Sequence, residues 1–335
     1  MLIGARAMIS LVTPIYNEQE IIPRLHQEVA EVFQSIAEPW EVIYVDDGSR
    51  DKSLSILLEL RERDPHVIVV ELSRNWGHQP AVTAGLSAAQ GDAIVIMDGD
   101  LQDPPSVIAD LVRAWKNGAE VIIAERRSRT ESGLRKHLFP LFYKLLGLLS
   151  DYPIPLNAGV FGLMSRQVVD TILRLEETNR YLPGLRAWVG FRTEFVYYDR
   201  AARASGEPKQ TLPRLLKYAL DAIFSFSYKP LRLTLALGMI TAFVSILIGV
   251  FFIVCRILGI GLFGSPLVYG YTSTLVFILL LSGVQMTSIG VLGEYIGRIY
   301  DEVKRRPLFV IRKVHGVPGQ DESAMRAAER DARRA

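Results

Sequence analysis

The sequence is poor in cysteine and has little surplus charge, and each lack excludes a class of protein. Cys255 is the only cysteine among 335 residues, so no disulfide framework can form and the chain suits a reducing compartment. The 38 basic and 36 acidic residues leave a formal net charge of +2, which is too small to indicate a nucleic-acid partner. The first predicted strand lacks a following Gly-x-Gly-x-x-Gly turn, which argues against a dinucleotide dehydrogenase. Residues 1–7 contain no long apolar stretch and predict no signal peptide.

Two long runs without any charged residue stand in the C-terminal third of the chain. They cover residues 233–255 and 272–293, and a connector that contains glycine and proline separates them. As helices that rise about 1.5 Å per residue, they would extend about 33–34 Å, enough to cross a hydrocarbon core of about 30 Å. Two buried core helices are the alternative, but the lengths favour a transmembrane hairpin over residues 231–295.

Positive charges flank the predicted hairpin on both outer sides, whereas the connector carries only Arg256 at its edge. The positive-inside rule therefore predicts a two-helix protein of the cell inner membrane, with the preceding domain and both termini in the cytoplasm. Residues 206–230 predict an amphipathic juxtamembrane helix that lies on the bilayer, with packing on the soluble domain as the alternative. Residues 296–335 predict a cytoplasmic C-terminal tail.

Short apolar runs alternate with helical stretches in the first part of the chain. Strands are predicted at residues 8–14, 41–45, 67–72, 93–97 and 120–124. The stretch 18–36 predicts the first helix, with Asn17 as its N-cap. This alternation favours an α/β domain with a mostly parallel sheet, and polar residues follow the carboxyl ends of its strands. Ligands bind at that edge in open α/β sheets.

An acidic motif, DGDLQD, directly follows the fourth predicted strand. Asp98 and Asp100 are one residue apart on a turn and can reach one hard cation, for which Mg²⁺ or Mn²⁺ is the expected ion. Such an ion stabilises a departing nucleoside diphosphate. The alternative is an ordinary turn, because turns favour aspartate and glycine for backbone reasons.

Two further motifs follow the first and second predicted strands. An aspartate in the stretch 46–51 can accept hydrogen bonds from a ribose or a base, or a later residue there can cap a helix. Tyr16 can cover a nucleobase and Glu18 can hold its polar edge, although the stretch 13–18 alone is typical of a simple strand-to-helix turn. Trp76 and His78, in the next predicted turn, are expected to serve packing or surface roles.

Five motifs in this order resemble those of the family-2 glycosyltransferases with the GT-A fold. They are TPIYNE (13–18), DDGSRD (46–51), LSRNWGHQPAVTAGL (72–86), DGDLQDPP (98–105) and SFSYKPLR (225–232). The pattern is most similar to polyprenyl-phosphate glycosyltransferases of the dolichyl-phosphate mannose synthase and GtrB-like branch, over residues 8–310. The resemblance implies a GT-A catalytic domain over residues 1–205, followed by interfacial helices and the hairpin.

The resemblance also implies roles for individual residues. Nucleotide contacts are implied for Pro14, Tyr16, Glu18, Asp46 and Asp47. Metal ligation is implied for Asp98, Asp100 and Gln102. Phosphate contacts are implied for Arg126 and, at the lipid phosphate, for Arg135, Arg203 and Lys209. Asp100, Arg126 and Arg203 are the expected catalytic residues.

The chain departs from the family pattern at two places. Relatives often carry Gly-Asp-Phe-Arg where this chain has Gly159-Val160-Phe161-Gly162, and Pro208 replaces a common serine or threonine. The missing aspartate is chemically tolerable, because a phosphate nucleophile is already ionised at neutral pH and needs no general base.

The resemblance implies inverting transfer of a sugar from a UDP- or GDP-linked donor to a polyprenyl phosphate such as undecaprenyl phosphate. A processive polysaccharide synthase is one alternative, but the chain has neither a Gln-x-x-Arg-Trp motif nor further membrane runs. A catalytically inactive membrane scaffold is another, and it would predict broken metal ligands. The spacing of Gly290, Gly293 and Gly297 allows close helix packing, which is a weak indication of a homo-oligomer.

Overall fold

A mixed sheet organises the first part of the protein. The computed structural model describes residues 7–127, 158–178, 180–199, 229–258 and 269–316. Its sheet has the strand order β7-β5-β6-β4-β1-β2-β3-β8. The strands are β1 Ile9–Ile15, β2 Trp40–Asp46, β3 Val67–Leu72, β4 Ala93–Ile96, β5 Val121–Arg126, β6 Ala158–Ser165, β7 Thr193–Tyr198 and β8 Ile311–His315.

Strands β1 to β4 pair in parallel, and β5 pairs in parallel with β7. Only β6 and β8 run antiparallel to their neighbours. The predicted α/β class with a mostly parallel sheet is therefore confirmed. The central strands are buried along almost their whole length, as expected where helices cover both faces of a parallel sheet.

Helices connect the strands and cover the sheet. They are α1 Ile22–Ile36, α2 Ser53–Arg63, α3 His78–Ala88, α4 Val107–Lys116, α5 Arg166–Leu173 and α6 Leu182–Trp188. Helix α1 buries Ile22, Leu25, Val29 and Phe33, which recur every three or four residues and form one apolar stripe.

Helix α1 begins four residues later than the sequence predicts, and Asn17 is not its N-cap. Asn17 has a left-handed φ of 55° and uses its side chain to bind the loop after β2. Pro23 lies in the first turn of the helix, where its missing N–H costs nothing. Residues 16–21 are therefore free to form a loop at the edge of the sheet.

Strand β8 lies within the stretch that the sequence analysis assigns to a C-terminal tail. It pairs with the outer edge of β3, and Arg312 binds Glu71 at 2.9 Å. The backbone N–H of Ser73 also donates to the carbonyl of Val310. The chain therefore returns to the sheet after its two apolar helices.

Those apolar helices are α7, Lys229–Ile257, and α8, Tyr269–Val303. The segments Leu231–Phe251 and Phe277–Val303 are long and apolar enough to cross a membrane, and neither is buried within the protein. They belong to a compact unit separate from the unit that holds the sheet. Residues 206–228, with the predicted amphipathic helix, lie outside the described residues.

Candidate active site

Loops at one edge of the sheet carry most of the predicted site residues. Because β1, β2, β3 and β4 are parallel, their carboxyl ends meet there, and Ile15 pairs with Asp46 at the last step of β1 and β2. Strand β6 runs the opposite way, so its first residue, Ala158, pairs with Glu125 near the end of β5. This edge is where open α/β sheets bind ligands.

Hydrogen bonds join the loop after β1 to the loop after β2. The N–H of Asn17 donates to Ser49 Oγ at 3.1 Å, and the N–H of Arg50 donates to Asn17 Oδ1 at 2.8 Å. The N–H of Glu18 donates to Ser53 Oγ at 3.0 Å. The two motifs that resemble nucleotide-binding sequences therefore form one hydrogen-bonded unit.

Three residues with implied nucleotide contacts lie in and after β1. Pro14 is within the strand and pairs with Val45 of β2. Tyr16 follows the strand and is 37% exposed, so its ring is accessible to a ligand. Glu18 lies two residues further along, and its N–H donates to the hydroxyl of Ser53 at the start of α2.

Asp46 and Asp47 are buried at the end of β2. Burial raises the pKa of both carboxyl groups, although hydrogen bonds from backbone N–H groups oppose the rise. Asp47 accepts from the N–H of Trp76 at 2.7 Å and of Gly77 at 3.0 Å. Asp47 therefore holds the loop after β3, a role that the sequence analysis does not predict.

Gly48 allows the loops after β2 and β3 to pack backbone against backbone. It has a φ of +66°, and a Cβ atom there would lie 2.5 Å from the carbonyl carbon of Arg74 and 2.6 Å from the nitrogen of Asn75. A side chain at this position has no room, so only glycine preserves the approach.

The acidic motif after β4 forms a tight turn at the same edge. Asp100 Oδ1 accepts from the N–H of Gln102 at 3.1 Å, and the Gln102 side chain is buried. Leu101, between them, has a φ of 54°, which is a strained conformation for a bulky residue. Such strain is typical of loops whose shape serves a ligand.

His78 lies beside Asp98 at this edge, and its predicted packing or surface role stays a prediction. Its Nε2 lies 2.8 Å from Asp98 Oδ1. Desolvation alone would lower the pKa of His78, but the hydrogen bond to Asp98 and the charges of Asp98, Asp47 and Asp100 outweigh it, so the pKa is raised. Its position just after β3, at the same edge as the aspartates, is the signal that could have identified it.

Arg126 ends β5 and joins a buried polar cluster. Its Nε donates to Tyr198 Oη at 3.1 Å, and its Nη2 lies 3.5 Å from Asp103 Oδ1. Tyr198 Oη donates to the same oxygen of Asp103 at 2.5 Å. Burial raises the pKa of Tyr198, and the charge of Asp103 adds to the rise. Asp103 thus orients Arg126, which the resemblance assigns to phosphate.

The remaining predicted basic residues, Arg135, Arg203 and Lys209, lie outside the described residues, as does Pro208. The structure therefore brings most of the other predicted site residues to this edge: Tyr16, Glu18, Asp46, Asp47, Asp98, Asp100, Gln102 and Arg126.

The side chains at this edge suit a hard divalent cation. Asp98 and Asp100 offer carboxylate oxygens, which Mg²⁺ and Mn²⁺ prefer. Within the described residues, no three histidine, cysteine, aspartate or glutamate side chains converge on a single point. A cation held by two carboxylates would keep open positions for phosphate oxygens and water, which is the usual state of Mg²⁺ at phosphate sites.

The chain is similar to a known protein family and to solved structures. Residues 10–173 match the family model "Glycosyl transferase family 2". A mannosyltransferase from Pyrobaculum calidifontis, solved in complex with GDP-Man and Mn²⁺, superposes with a TM-score of 0.43 at 17% identity, covering 66% of this chain and 64% of its own.

Two relatives match almost the whole chain. The uncharacterized glycosyltransferase YkcC of Bacillus subtilis is 43% identical over 312 residues, which are 92% of this chain and 94% of YkcC. The SfII prophage-derived bactoprenol glucosyl transferase of Shigella flexneri is 44% identical over 310 residues, which are 92% of this chain and 98% of that protein. With this identity over nearly its full length, the chain belongs to glycosyl transferase family 2.

Proposed function

We propose that this protein transfers a sugar from a nucleotide-sugar to a polyprenyl phosphate, forming a polyprenyl-phospho-sugar. The observation that carries the proposal is the 44% identity over 92% of the chain to a protein named bactoprenol glucosyl transferase. A match of that extent includes most of the acidic sheet edge and of the two apolar helices. It favours neither the processive synthase nor the inactive scaffold.

The donor nucleotide binds the joined loops after β1 and β2. Tyr16 is exposed enough to stack on a base, while Pro14 and Glu18 shape the adjoining surface. Asp46 is the aspartate better placed to accept hydrogen bonds from the donor, because its bonds from the N–H of Ser49 are long, at 3.3 and 3.4 Å, whereas Asp47 accepts two shorter bonds from the loop after β3.

Asp98 and Asp100, with Gln102 beside them, hold Mg²⁺ or Mn²⁺ in this proposal. The bound ion would supply Lewis-acid stabilisation of the departing diphosphate. The hydrogen bond from His78 fixes one oxygen of Asp98, and the N–H of Gln102 fixes one oxygen of Asp100. Both carboxylates are thus oriented before any ligand binds.

The reaction is a single in-line displacement with inversion. An oxygen of the acceptor phosphate forms a bond to the anomeric carbon while the bond from that carbon to the diphosphate oxygen breaks. No proton has to move, since the phosphate is ionised at neutral pH. Cations must overcome the repulsion between the two substrates, and Arg126, Arg135, Arg203 and Lys209 are the proposed sources.

The hairpin anchors the enzyme in the membrane that contains its acceptor. Strand β7 precedes α7 and strand β8 follows α8, yet both strands lie in one sheet. This pairing supports a topology in which the two flanks of the hairpin lie on the same side of the membrane. The basic flanks favour the cytoplasmic side of a cell inner membrane.

The proposal is tested with the full-length protein in detergent micelles, undecaprenyl phosphate, Mg²⁺ or Mn²⁺ and a panel of radiolabelled UDP- and GDP-sugars. We expect a labelled lipid from one donor, and an Asp100→Asn variant should lose at least about a hundredfold of the rate. Asp110→Asn is the matched control, because Asp110 is an exposed residue of α4 that pairs with Arg113 on the same helix. Absence of labelled lipid with every donor, or full activity of Asp100→Asn, would contradict the proposal.

A further inference from the structure

A fully buried arginine lies beside the candidate site, and the part of the chain that the structure describes gives it no counter-charge. Arg186 of helix α6 is only 1% exposed. Its Nη2 donates to the carbonyl of Gly159 at 2.6 Å, its Nη1 donates to that of Val160 at 3.3 Å, and its Nε has no partner among the described residues. The guanidinium thus lies under the first residues of β6, at the edge where the acidic loops meet.

The positive charge of Arg186 is not offset by any carboxylate in the described part of the chain. Burial lowers its pKa to about 10, so the side chain remains protonated at neutral pH. Taking an unpaired charge out of water costs several kcal/mol, so such a group is rarely kept for stability alone.

Arg126 also lies near Gly159, but unlike Arg186 it has a carboxylate partner. A Cβ atom built on Gly159 would lie 3.8 Å from Arg126 Nη2, so both guanidinium groups lie close to the start of β6. The charge of Arg126 is largely met by Asp103, whereas that of Arg186 is not. Of these two guanidinium groups, that of Arg186 therefore has no carboxylate partner within the described residues.

The backbone of β6 makes room for Arg186. A Cβ atom on Gly162 would lie 3.1 Å from Arg186 Nη1 and 2.3 Å from the carbonyl oxygen of Ile122. Any side chain at position 162 would displace the guanidinium or the neighbouring strand. Gly162 and Arg186 thus form a matched pair across the interface of α6 and β6.

We propose that Arg186 is a positioning residue whose buried charge draws the phosphate of the acceptor lipid to the start of β6. The inference rests on the proposed function and names a determinant of its acceptor subsite. The acceptor phosphate is favoured over the donor diphosphate because the diphosphate can share the cation at Asp98 and Asp100. A phosphate monoester carries a charge of about −1.5 to −2 at pH 7 and needs positive charge from the protein. Arg186 acts through the field that it adds there, because low polarity strengthens charge interactions.

Two variants separate this role from a purely structural one. Arg186→Lys keeps the charge, and Arg186→Gln keeps hydrogen-bond donors for the carbonyls of Gly159 and Val160 without the charge. We expect Arg186→Gln to raise the KM for undecaprenyl phosphate about tenfold, equivalent to about 1.4 kcal/mol, and to leave kcat and the donor KM unchanged. Arg186→Lys should stay within about threefold of the wild type.

Binding is measured separately from turnover, by titrating farnesyl phosphate into the full-length protein by calorimetry, with farnesol as the uncharged probe. Arg186→Gln should weaken farnesyl phosphate binding about tenfold and leave farnesol binding unchanged. If the wild type transfers no sugar, the proposed function fails. The role of Arg186 is then decided by the difference in farnesyl phosphate binding between the wild type and Arg186→Gln.

Three results would overturn the inference. The first is an equal effect of Arg186→Lys and Arg186→Gln on acceptor binding, which would mark a structural role. The second is an increase in the donor KM in place of the acceptor KM. The third is unchanged farnesyl phosphate binding in an Arg186→Gln variant whose thermal midpoint matches that of the wild type.

Discussion

Replacing Gly48 with alanine tests how closely the loops at the sheet edge are packed. The substitution has two costs, a left-handed φ of +66° and a Cβ atom 2.5 Å from the backbone of Arg74. The dihedral costs about 1–2 kcal/mol for a residue with a side chain. Relief of the clash by backbone movement costs about 1–3 kcal/mol more. The free energy of unfolding should therefore fall by about 2–5 kcal/mol in Gly48→Ala.

Gly190→Ala is the matched control for the dihedral alone. Gly190 has a φ of +71°, but the nearest atom to its Cβ position is the carbonyl oxygen of Trp188, 4.0 Å away. The control should lose only about 1–2 kcal/mol. The difference between the variants, about 1–3 kcal/mol, corresponds to roughly 2–12 °C in thermal midpoint for a domain of this size.

Thermal unfolding of the full-length protein in detergent, followed by circular dichroism, measures both variants. Donor binding is measured in parallel, because movement of the loop after β3 would break the hydrogen bonds from Trp76 and Gly77 to Asp47. We expect weaker donor binding only in Gly48→Ala. Equal midpoints for Gly48→Ala and Gly190→Ala would refute the close approach of the loops.

Three further predictions concern the rest of the domain that contains the sheet. Burial lowers the pKa of His26, so the unfolded chain binds a proton at this residue at a higher pH than the folded protein does. The free energy of unfolding should therefore fall as the pH drops below about 6.5. The fall in the free energy of unfolding from pH 7 to pH 5, measured by urea titration, should be smaller in His26→Gln. Tyr198→Phe removes the hydroxyl that binds Asp103 and Arg126, and should cost about 2–4 kcal/mol in urea unfolding. A chain ended after residue 310 lacks β8 and should aggregate at elevated temperature, as measured by light scattering, because the edge of β3 is exposed.

Controls exist for each of the three. If the free energy of unfolding of His26→Gln depends on pH as that of the wild type does, His26 is not the cause of the fall. Tyr197→Phe should be neutral, since Tyr197 is 55% exposed on the same strand, and an equal loss in both tyrosine variants would contradict the buried role of Tyr198. A chain ended after residue 316 keeps β8, so equal aggregation of the two shortened chains would show that β8 does not protect the edge.

The sequence predicts the central strands well because continuous apolar runs mark buried parallel strands. The strand predicted at residues 67–72 has the same bounds as β3. The other four predicted strands differ from the observed ones by no more than two residues at an end. It also predicts which loops carry polar side chains, because those loops follow the strands directly.

Other features depend on contacts that a linear pattern does not contain. Strand β8 pairs with a strand far away in the chain, and its own residues, IRKVH, show no strong alternation. The bond from His78 to Asp98 links residues that are 20 positions apart and separated by helix α3 and strand β4. Asp47 has an apparent ligand-binding position in the motif, yet its partners are backbone groups of the next loop.

The pairing of β8 with β3 sets an order of events during biosynthesis. Arg312 emerges from the ribosome 241 residues after Glu71, its partner. At about 5–20 residues per second, β3 waits roughly 10–50 s for its outer neighbour. Both apolar helices are translated within that interval. The sheet is therefore completed only after both apolar helices have been synthesised. If these helices have not entered a membrane by then, their apolar side chains are still exposed to water when β8 pairs with β3.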